Sequence, residues 1–207
     1  MSSATNHPAV QMTICGLDEL NGYPNSGVTH VLSILDPGSD EPAIFNSFQT
    51  HARKTVYFHD EIEPGPNVSL PQPEHIETII ALGHSLGRER LDHTAPHVLI
   101  HCHMGVSRSS AATAILFAAL DPKKSEIEIL AHILARRPQA WPNCRMIALA
   151  DDLLSREGRL TAALCRLYAT QLERNPAMGA YLRIHGRGRE VDMGLSTQIE
   201  PRTLRHS

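Results

Sequence analysis

The segment 101–110, HCHMGVSRSS, places a cysteine, a glycine and an arginine at spacings that could support phosphoryl chemistry. Cys102 follows a short apolar run, and Arg108, six positions later, opens a stretch typical of a helix. The start of a helix directs free backbone N–H groups toward one point and favours an anion there. The same field favours the thiolate form of a cysteine, which is the nucleophilic form. We therefore expect Cys102 to attack the phosphorus of a bound phosphate ester without a separate base.

The neighbouring residues fit the same chemistry. The planar guanidinium group of Arg108 can bind two phosphate oxygens at once. Gly105 permits a tight loop whose backbone dihedrals a side chain would forbid. Ser109 is placed to hydrogen-bond the sulfur and to help it leave in a second step. Besides Arg108, the residues expected to surround the phosphate are His103, Met104, Gly105, Val106 and Ser107.

The run HCHMGVSRS resembles the HCxxGxxR[ST] signature of the cysteine-based protein tyrosine phosphatases, and the dual-specificity branch most. The match is densest over residues 98–119 and extends more loosely over 28–152. The resemblance implies two-step hydrolysis of a phosphate monoester through a phosphocysteine on Cys102. It also implies that His101 tunes the thiol from behind, and that neither a cofactor nor a metal is needed.

The resemblance further implies a general acid, an aspartate on a loop upstream of the signature. Asp60 is the first candidate, because it ends a predicted strand at the edge of the sheet where the phosphate loop also lies. The interval from Asp60 to Cys102 is longer than is usual in the family, so Glu61 and Glu63 remain alternatives. Asp92 is closer in sequence, but it precedes the next predicted strand and should lie at the opposite edge.

The resemblance also implies a supporting role for Asn143. Trp141-Pro142-Asn143 resembles the Pro-Asn pair that follows the signature in the dual-specificity branch, and Asn143 could cap a helix and support the phosphate loop. Cys144, beside it, could form a protective disulfide with Cys102 under oxidation. A metal site at His101 and His103 is disfavoured, because no further Cys or His cluster completes a ligand set.

The elements that must position these residues alternate between strands and helices. Branched apolar runs predict strands over 10–14, 28–35, 54–59 and 97–101. Helical spacing and start or stop signals predict helices over 73–86, 108–121, 125–136, 146–154 and 160–172. Gly87 is expected to end the first of these helices. The pattern predicts an α/β fold with a central, mostly parallel sheet of four to five strands flanked by helices.

Composition and length predict one domain, over residues 10–175, and the resemblance implies that it is a phosphatase domain. Residues 1–9 are expected to be a flexible N-terminus, and 176–207 a C-terminal extension that is partly ordered or packed on the domain. The arginine-rich run near Gly186 is expected to be solvated. The net charge of −3 gives no general attraction to nucleic acid. No apolar run is long enough for a membrane span, and four dispersed cysteines suit a reducing cytoplasm.

Phosphotyrosine on a protein is the expected substrate, with phosphoserine or phosphothreonine as further possibilities. Phosphate, sulfate or vanadate should bind the same loop. A phosphoinositide or another small-molecule phosphate ranks second, because His103, Met104 and Val106 bring no lysine to hold extra phosphate groups. A sulfurtransferase that carries a persulfide ranks third. The alternative outside the enzymes is a phosphate-binding pseudophosphatase.

Overall fold

The computed structural model describes residues 9–91 and 95–197, and its centre is a parallel four-stranded sheet. The strand order is β1-β4-β2-β3, which places β4 between two neighbours. The predicted α/β class with a central sheet flanked by helices is thus confirmed. The strands are β1 (Gln11–Cys15), β2 (His30–Leu35), β3 (Ala52–Tyr57) and β4 (His97–His101).

Seven helices lie within the described residues, and two short 3-10 helices, Leu17–Gly22 and Ala43–Ser47, fill loops on one side of the sheet. None of these helices is long and apolar enough to cross a membrane. The seven helices are α1 (Pro73–Leu91), α2 (Arg108–Leu120), α3 (Glu126–Arg136), α4 (Cys144–Leu153), α5 (Arg159–Arg174), α6 (Ala177–Ile184) and α7 (Gly188–Ser196).

The expected end of α1 at Gly87 is wrong, because the helix continues to Leu91. Gly83 allows close packing of α1 on α2, whereas Gly87 has room for a side chain. A Cβ atom on Gly83 would lie 2.8 Å from the Cβ of Ala119, and one on Gly87 would lie 3.5 Å from a methyl group of Leu120. Glycine inside a helix lowers its intrinsic stability, but here Gly83 lets two helices approach each other.

Strand β4 is buried along its whole length, and successive side chains along it point in turn into two different hydrophobic clusters. Val98 and Ile100 face the larger cluster, which the helices α1 to α5 cover. Leu99 faces a smaller cluster that includes Leu20 and Phe45 of the 3-10 helices. Because successive strand residues point to opposite faces, a continuous apolar run such as this one indicates a central strand.

The segment after Pro176 folds back onto the domain as α6 and α7. Helix α7 packs closely on α5, since a Cβ atom on Gly194 would lie 2.9 Å from the Cβ of Tyr168. The expectation that the run near Gly186 is solvated holds for Arg189, which is exposed, but is wrong for Arg187, which is 8% exposed, and for Glu190, which is fully buried. The two buried side chains neutralise each other, which a count of charges along the sequence does not reveal. Residues 1–8 and 198–207 of the predicted termini lie outside the described residues.

Candidate active site

The loop 102–107 joins the end of β4 to the start of α2, as the sequence predicted. Gly105 has a φ of +69°, and a Cβ atom there would lie 2.5 Å from the carbonyl carbon of Cys15. Only glycine combines this dihedral with so close an approach to a neighbouring backbone. The tight turn brings Cys102 and the first residues of α2 to the same end of the molecule.

The carbonyl groups of this loop are bound from outside it. His103 O accepts from the backbone N–H of Leu17 at 2.9 Å, and Val106 O accepts from that of Trp141 at 3.0 Å. Arg137 donates to Gly105 O at 2.9 Å and to Met104 O at 3.0 Å. Within the described part of the chain, the backbone N–H groups of 103–108 donate to no other residue. The loop therefore offers a set of free donors, which is the arrangement that binds an oxyanion.

The sulfur of Cys102 is buried beneath this loop, and its Sγ atom lies 3.2 Å from the Oγ atom of Ser109. The predicted contact between these two side chains is therefore present. The other cysteines differ in their surroundings. Burial raises the pKa of the Cys15 and Cys144 thiols to about 12, and burial also raises the pKa of Cys165. These three thiols stay protonated at neutral pH.

Arg108 is 3% exposed and is held from one side only. Its Nη1 atom donates to Oδ1 of Asp36 at 2.5 Å and to the carbonyl oxygen of Phe58 at 2.6 Å. Its Nε atom is buried and has no hydrogen-bond partner. A guanidinium group anchored through one nitrogen keeps other N–H groups for a planar anion contact. The predicted phosphate-binding role of Arg108 is compatible with this geometry.

Asp60 lies beside the phosphate loop, and its Oδ1 atom takes part in three interactions. Ser107 Oγ donates to it at 2.7 Å and Asn143 Nδ2 at 2.9 Å, while Arg187 Nη1 lies 3.4 Å away. Asn143 also accepts from the backbone N–H of Met146 at 3.1 Å, so it is the N-cap of α4. The structure thus brings Asp60, Asn143 and the loop together.

The alternative acids are placed differently. Glu61 lines the same cleft as Asp60. Glu63 is exposed and pairs with Arg189 at 3.4 Å. Asp92 lies outside the described residues. The position of Asp60 against Ser107 makes it the candidate with the most direct link to the phosphate loop.

His101 is fully buried behind Cys102, and its Nε2 atom lies 2.7 Å from Ser33 Oγ. Burial lowers the pKa of His101 to about 4, and the charges of Arg53 and Arg108 act in the same direction, although a contact with the Cys102 backbone opposes them. The ring is therefore neutral near pH 7. Among residues 9–91 and 95–197, no group of three His, Cys, Asp or Glu side chains is arranged to hold a metal ion.

A cleft of about 590 Å³ gives access to Cys102. Arg108, Asp60 and Ser107 are among the residues that line it. One wall comes from α6 and the turn that follows it, in the segment expected to be an extension. The residues of this wall are Met178, Tyr181, Leu182 and Arg187.

Sequence reasoning missed four charged residues of the site. Asp36 directly follows β2 and could have been found, since the carboxyl ends of neighbouring parallel strands meet at one edge of the sheet. Arg187 and Glu190 are three residues apart on one helical turn, which is a weak signal for an ion pair. Arg137 carried no signal, because its contact with the loop joins segments far apart in the chain.

The fold and the loop geometry together define the class of protein that the chain is similar to: it has the fold of the dual-specificity phosphatases, the branch that the sequence resemblance implied. Human DUSP28 matches with a TM-score of 0.53 and 16% identity over 72% of this chain and 94% of that chain. A mouse putative dual specificity phosphatase, complexed with zinc tungstate, matches with a TM-score of 0.52 and 18% identity over 79% of this chain and 96% of that chain. No protein-family model and no curated protein sequence matches the chain.

Proposed function

We propose that this chain hydrolyses phosphate monoesters through a phosphocysteine formed on Cys102. The observation that carries the proposal is the buried Cys102 sulfur at the start of α2, next to a loop whose backbone N–H groups are free and to the unpartnered Nε atom of Arg108. These donors would stabilise the equatorial oxygens of the transferring phosphoryl group. The tungstate in the mouse protein of similar fold is a tetrahedral oxyanion of the same kind. Phosphate, sulfate and vanadate should bind here too.

The reaction has two steps. In the first, the Cys102 thiolate attacks phosphorus, the S–P bond forms, and the bond from phosphorus to the leaving oxygen breaks. Asp60 gives its proton to that oxygen, so the alcohol or phenol leaves neutral. In the second, Asp60 takes a proton from water, the water oxygen bonds to phosphorus, and the S–P bond breaks. Ser109, 3.2 Å from the sulfur, donates a hydrogen bond to the returning thiolate.

Protein phosphotyrosine is the proposed substrate. The wall from α6 carries Tyr181, which is 58% exposed, and the loop carries Met104, which is 66% exposed. Apolar side chains around a charged floor suit a phosphorylated aromatic ring. The acidic lining of the cleft, with Asp36 and Glu61, disfavours a ligand that brings several phosphate groups, such as a phosphoinositide. A reducing compartment such as the cytoplasm would keep Cys102 a free thiol.

The test is hydrolysis of p-nitrophenyl phosphate by the wild type and by Cys102→Ser. We expect the variant to lose activity by at least about 10⁴-fold, because a serine hydroxyl is a far weaker nucleophile than a thiolate, while its unfolding curve stays close to that of the wild type. Cys165→Ser is the matched control, since Cys165 lies on α5 and should leave activity unchanged. Activity that persists in Cys102→Ser would refute the mechanism.

A panel of substrates then separates the candidate functions. Phosphate release from phosphotyrosine peptides, but not from phosphoinositides, is the expected result. Preferential release from phosphoinositides would favour the second-ranked substrate. Tight binding of phosphopeptides without turnover, equal in wild type and Cys102→Ser, would favour a phosphate-binding pseudophosphatase.

A further inference from the structure

Arg187 connects the C-terminal helices to both loops of the candidate active site. It lies in the turn between α6 and α7, and its side chain is 9% exposed. Its Nη2 atom donates to Ser107 Oγ at 3.1 Å. Its Nη1 atom donates to the carbonyl oxygen of Asp60 at 3.4 Å and lies 3.4 Å from Oδ1 of the same residue. One guanidinium group thus contacts the residue before α2 and the candidate acid.

Glu190 holds this guanidinium group in place. Arg187 donates to both carboxylate oxygens of Glu190 at 2.8 Å, which is a bidentate pair. Glu190 is fully buried and accepts three further hydrogen bonds. The donors are Trp141 Nε1 at 2.6 Å, the backbone N–H of Cys144 at 2.9 Å and Tyr168 Oη at 3.0 Å. A carboxylate with so many donors fixes the direction of the fork that it binds.

A purely structural role explains less of this arrangement. Burial disfavours the charged form of Arg187, but the Glu190 and Asp60 carboxylates raise its pKa above the ordinary value, so the group remains a cation. A buried ion pair is seldom more stabilising than apolar side chains of similar volume. The N–H groups of Arg187 that do not bind Glu190 donate to Ser107, in the phosphate loop, and to Asp60, in the loop of the candidate acid.

We infer that Arg187 is a positioning residue for the general acid. This inference rests on the proposed function, in which Asp60 protonates the leaving oxygen. With Arg187, Ser107 and Asn143 all on the Oδ1 side, the carboxyl group is oriented so that Oδ2 carries the transferable proton. The C-terminal helices would then be part of the catalytic unit, although they lie outside the segment that resembles the phosphatases in sequence.

The variant for the test is Arg187→Lys, which keeps a positive charge beside Glu190 but removes the planar fork. Arg189→Lys is the matched control, because Arg189 is exposed and pairs only with Glu63 among the contacts of the described residues. A second variant, Ser107→Ala, removes the hydroxyl group that links Arg187 to Asp60 and leaves the buried ion pair intact. Turnover is measured with aryl phosphates whose leaving groups differ in pKa.

We expect Arg187→Lys and Ser107→Ala to lower kcat for phenyl phosphate by about tenfold or more and for strongly activated esters much less, with KM little changed. On the background of Asp60→Asn, Arg187→Lys should cause no further loss, because the group that it positions is already gone. Arg189→Lys should match the wild type.

An equal loss for all leaving groups, a full additional loss on the Asp60→Asn background, or no loss in either variant would overturn the positioning role. If Arg187→Lys fails to fold, the result with Ser107→Ala decides alone. An inactive wild type would overturn the proposed function and this inference together. The inference alone fails if the wild type is active and the variants show the same dependence of kcat on leaving-group pKa as the wild type.

Discussion

At the scale of single residues, the two carboxylate oxygens of Asp60 have different surroundings. Oδ1 accepts from Ser107 and Asn143 and faces Arg187, whereas no hydrogen bond from a described residue reaches Oδ2. An acid that transfers a proton must keep one oxygen accessible to the substrate. This asymmetry is compatible with the proposed role of Asp60, and it explains why Asp60 is preferred over Glu63, which is bound to Arg189 at the surface.

The substitution Asp60→Asn tests this role directly. We expect it to lower kcat by about 10²-fold or more for aryl phosphates with poor leaving groups and much less for activated ones, because only a poor leaving group needs the proton. The measurement is the dependence of kcat on leaving-group pKa for wild type and variant. Glu61→Gln and Glu63→Gln are the controls. An equal loss of kcat for all leaving groups in Asp60→Asn would contradict the role of Asp60 as general acid. A steep dependence of kcat on leaving-group pKa in Glu61→Gln instead would assign that role to Glu61.

At the scale of elements, the site depends on how the start of α4 is fixed. The side-chain oxygen of Asn143, Oδ1, caps this helix by accepting from the backbone N–H of Met146. Its side-chain nitrogen, Nδ2, donates to Asp60. The two halves of one side chain thus connect a helix start to the acid loop. The Pro-Asn pair in the sequence predicted the cap, and the contact with Asp60 is an additional use of the same residue.

Asn143→Ala should therefore reduce the free energy of unfolding by about 1–2 kcal/mol, since an N-cap is lost. Urea unfolding followed by circular dichroism provides the measurement. Asn175→Ala, at an exposed residue at the end of α5, carries the same substitution and should change stability by less than about 0.5 kcal/mol. Equal unfolding midpoints for wild type and Asn143→Ala would contradict the role of the cap.

At the scale of the whole molecule, the pH dependence of stability involves His101, the fully buried last residue of β4. Its ring contacts Ser33 and lies 5.4 Å from the ring of Phe45. The folded state holds the pKa of this histidine at about 4, whereas an unfolded histidine titrates near 6.5. The unfolded chain therefore binds a proton first as the pH falls. The stability from His101 is complete above pH 6.5 and is lost as the pH falls toward 4.

Between pH 7 and pH 5 this linkage should remove about 2 kcal/mol of the free energy of unfolding. The measurement is urea unfolding at both pH values for wild type and His101→Asn, whose amide can still bind Ser33. The variant should lose about 2 kcal/mol less than the wild type over this interval. His84→Asn, at an exposed histidine, should follow the wild type. If His101→Asn loses as much stability as the wild type, the buried ring is not the cause.

Local signals were enough to predict the fold and the centre of the site. A short apolar run over 97–101 predicted the strand β4, and helical spacing and a start signal near Ser125 predicted α3, because these properties belong to residues close together in the chain. The spacing from Cys102 to Arg108 is likewise set within one loop and one helical turn. The predicted end of α1 was wrong, since the packing of α1 on α2, closest at Gly83, overrides the tendency of glycine to end a helix.

The sequence by itself determined the α/β sheet, the loop that joins β4 to α2, the placement of Cys102 and Gly105 on that loop, and that of Arg108 and Ser109 at the start of α2. Only the tertiary structure decided which charges surround that loop. Asp36, Arg137, Arg187 and Glu190 reach the site from distant segments. The physical reason is that a buried charge is stable only beside its partner. Which residues become partners depends on how strands and helices pack, and no spacing along the chain records that.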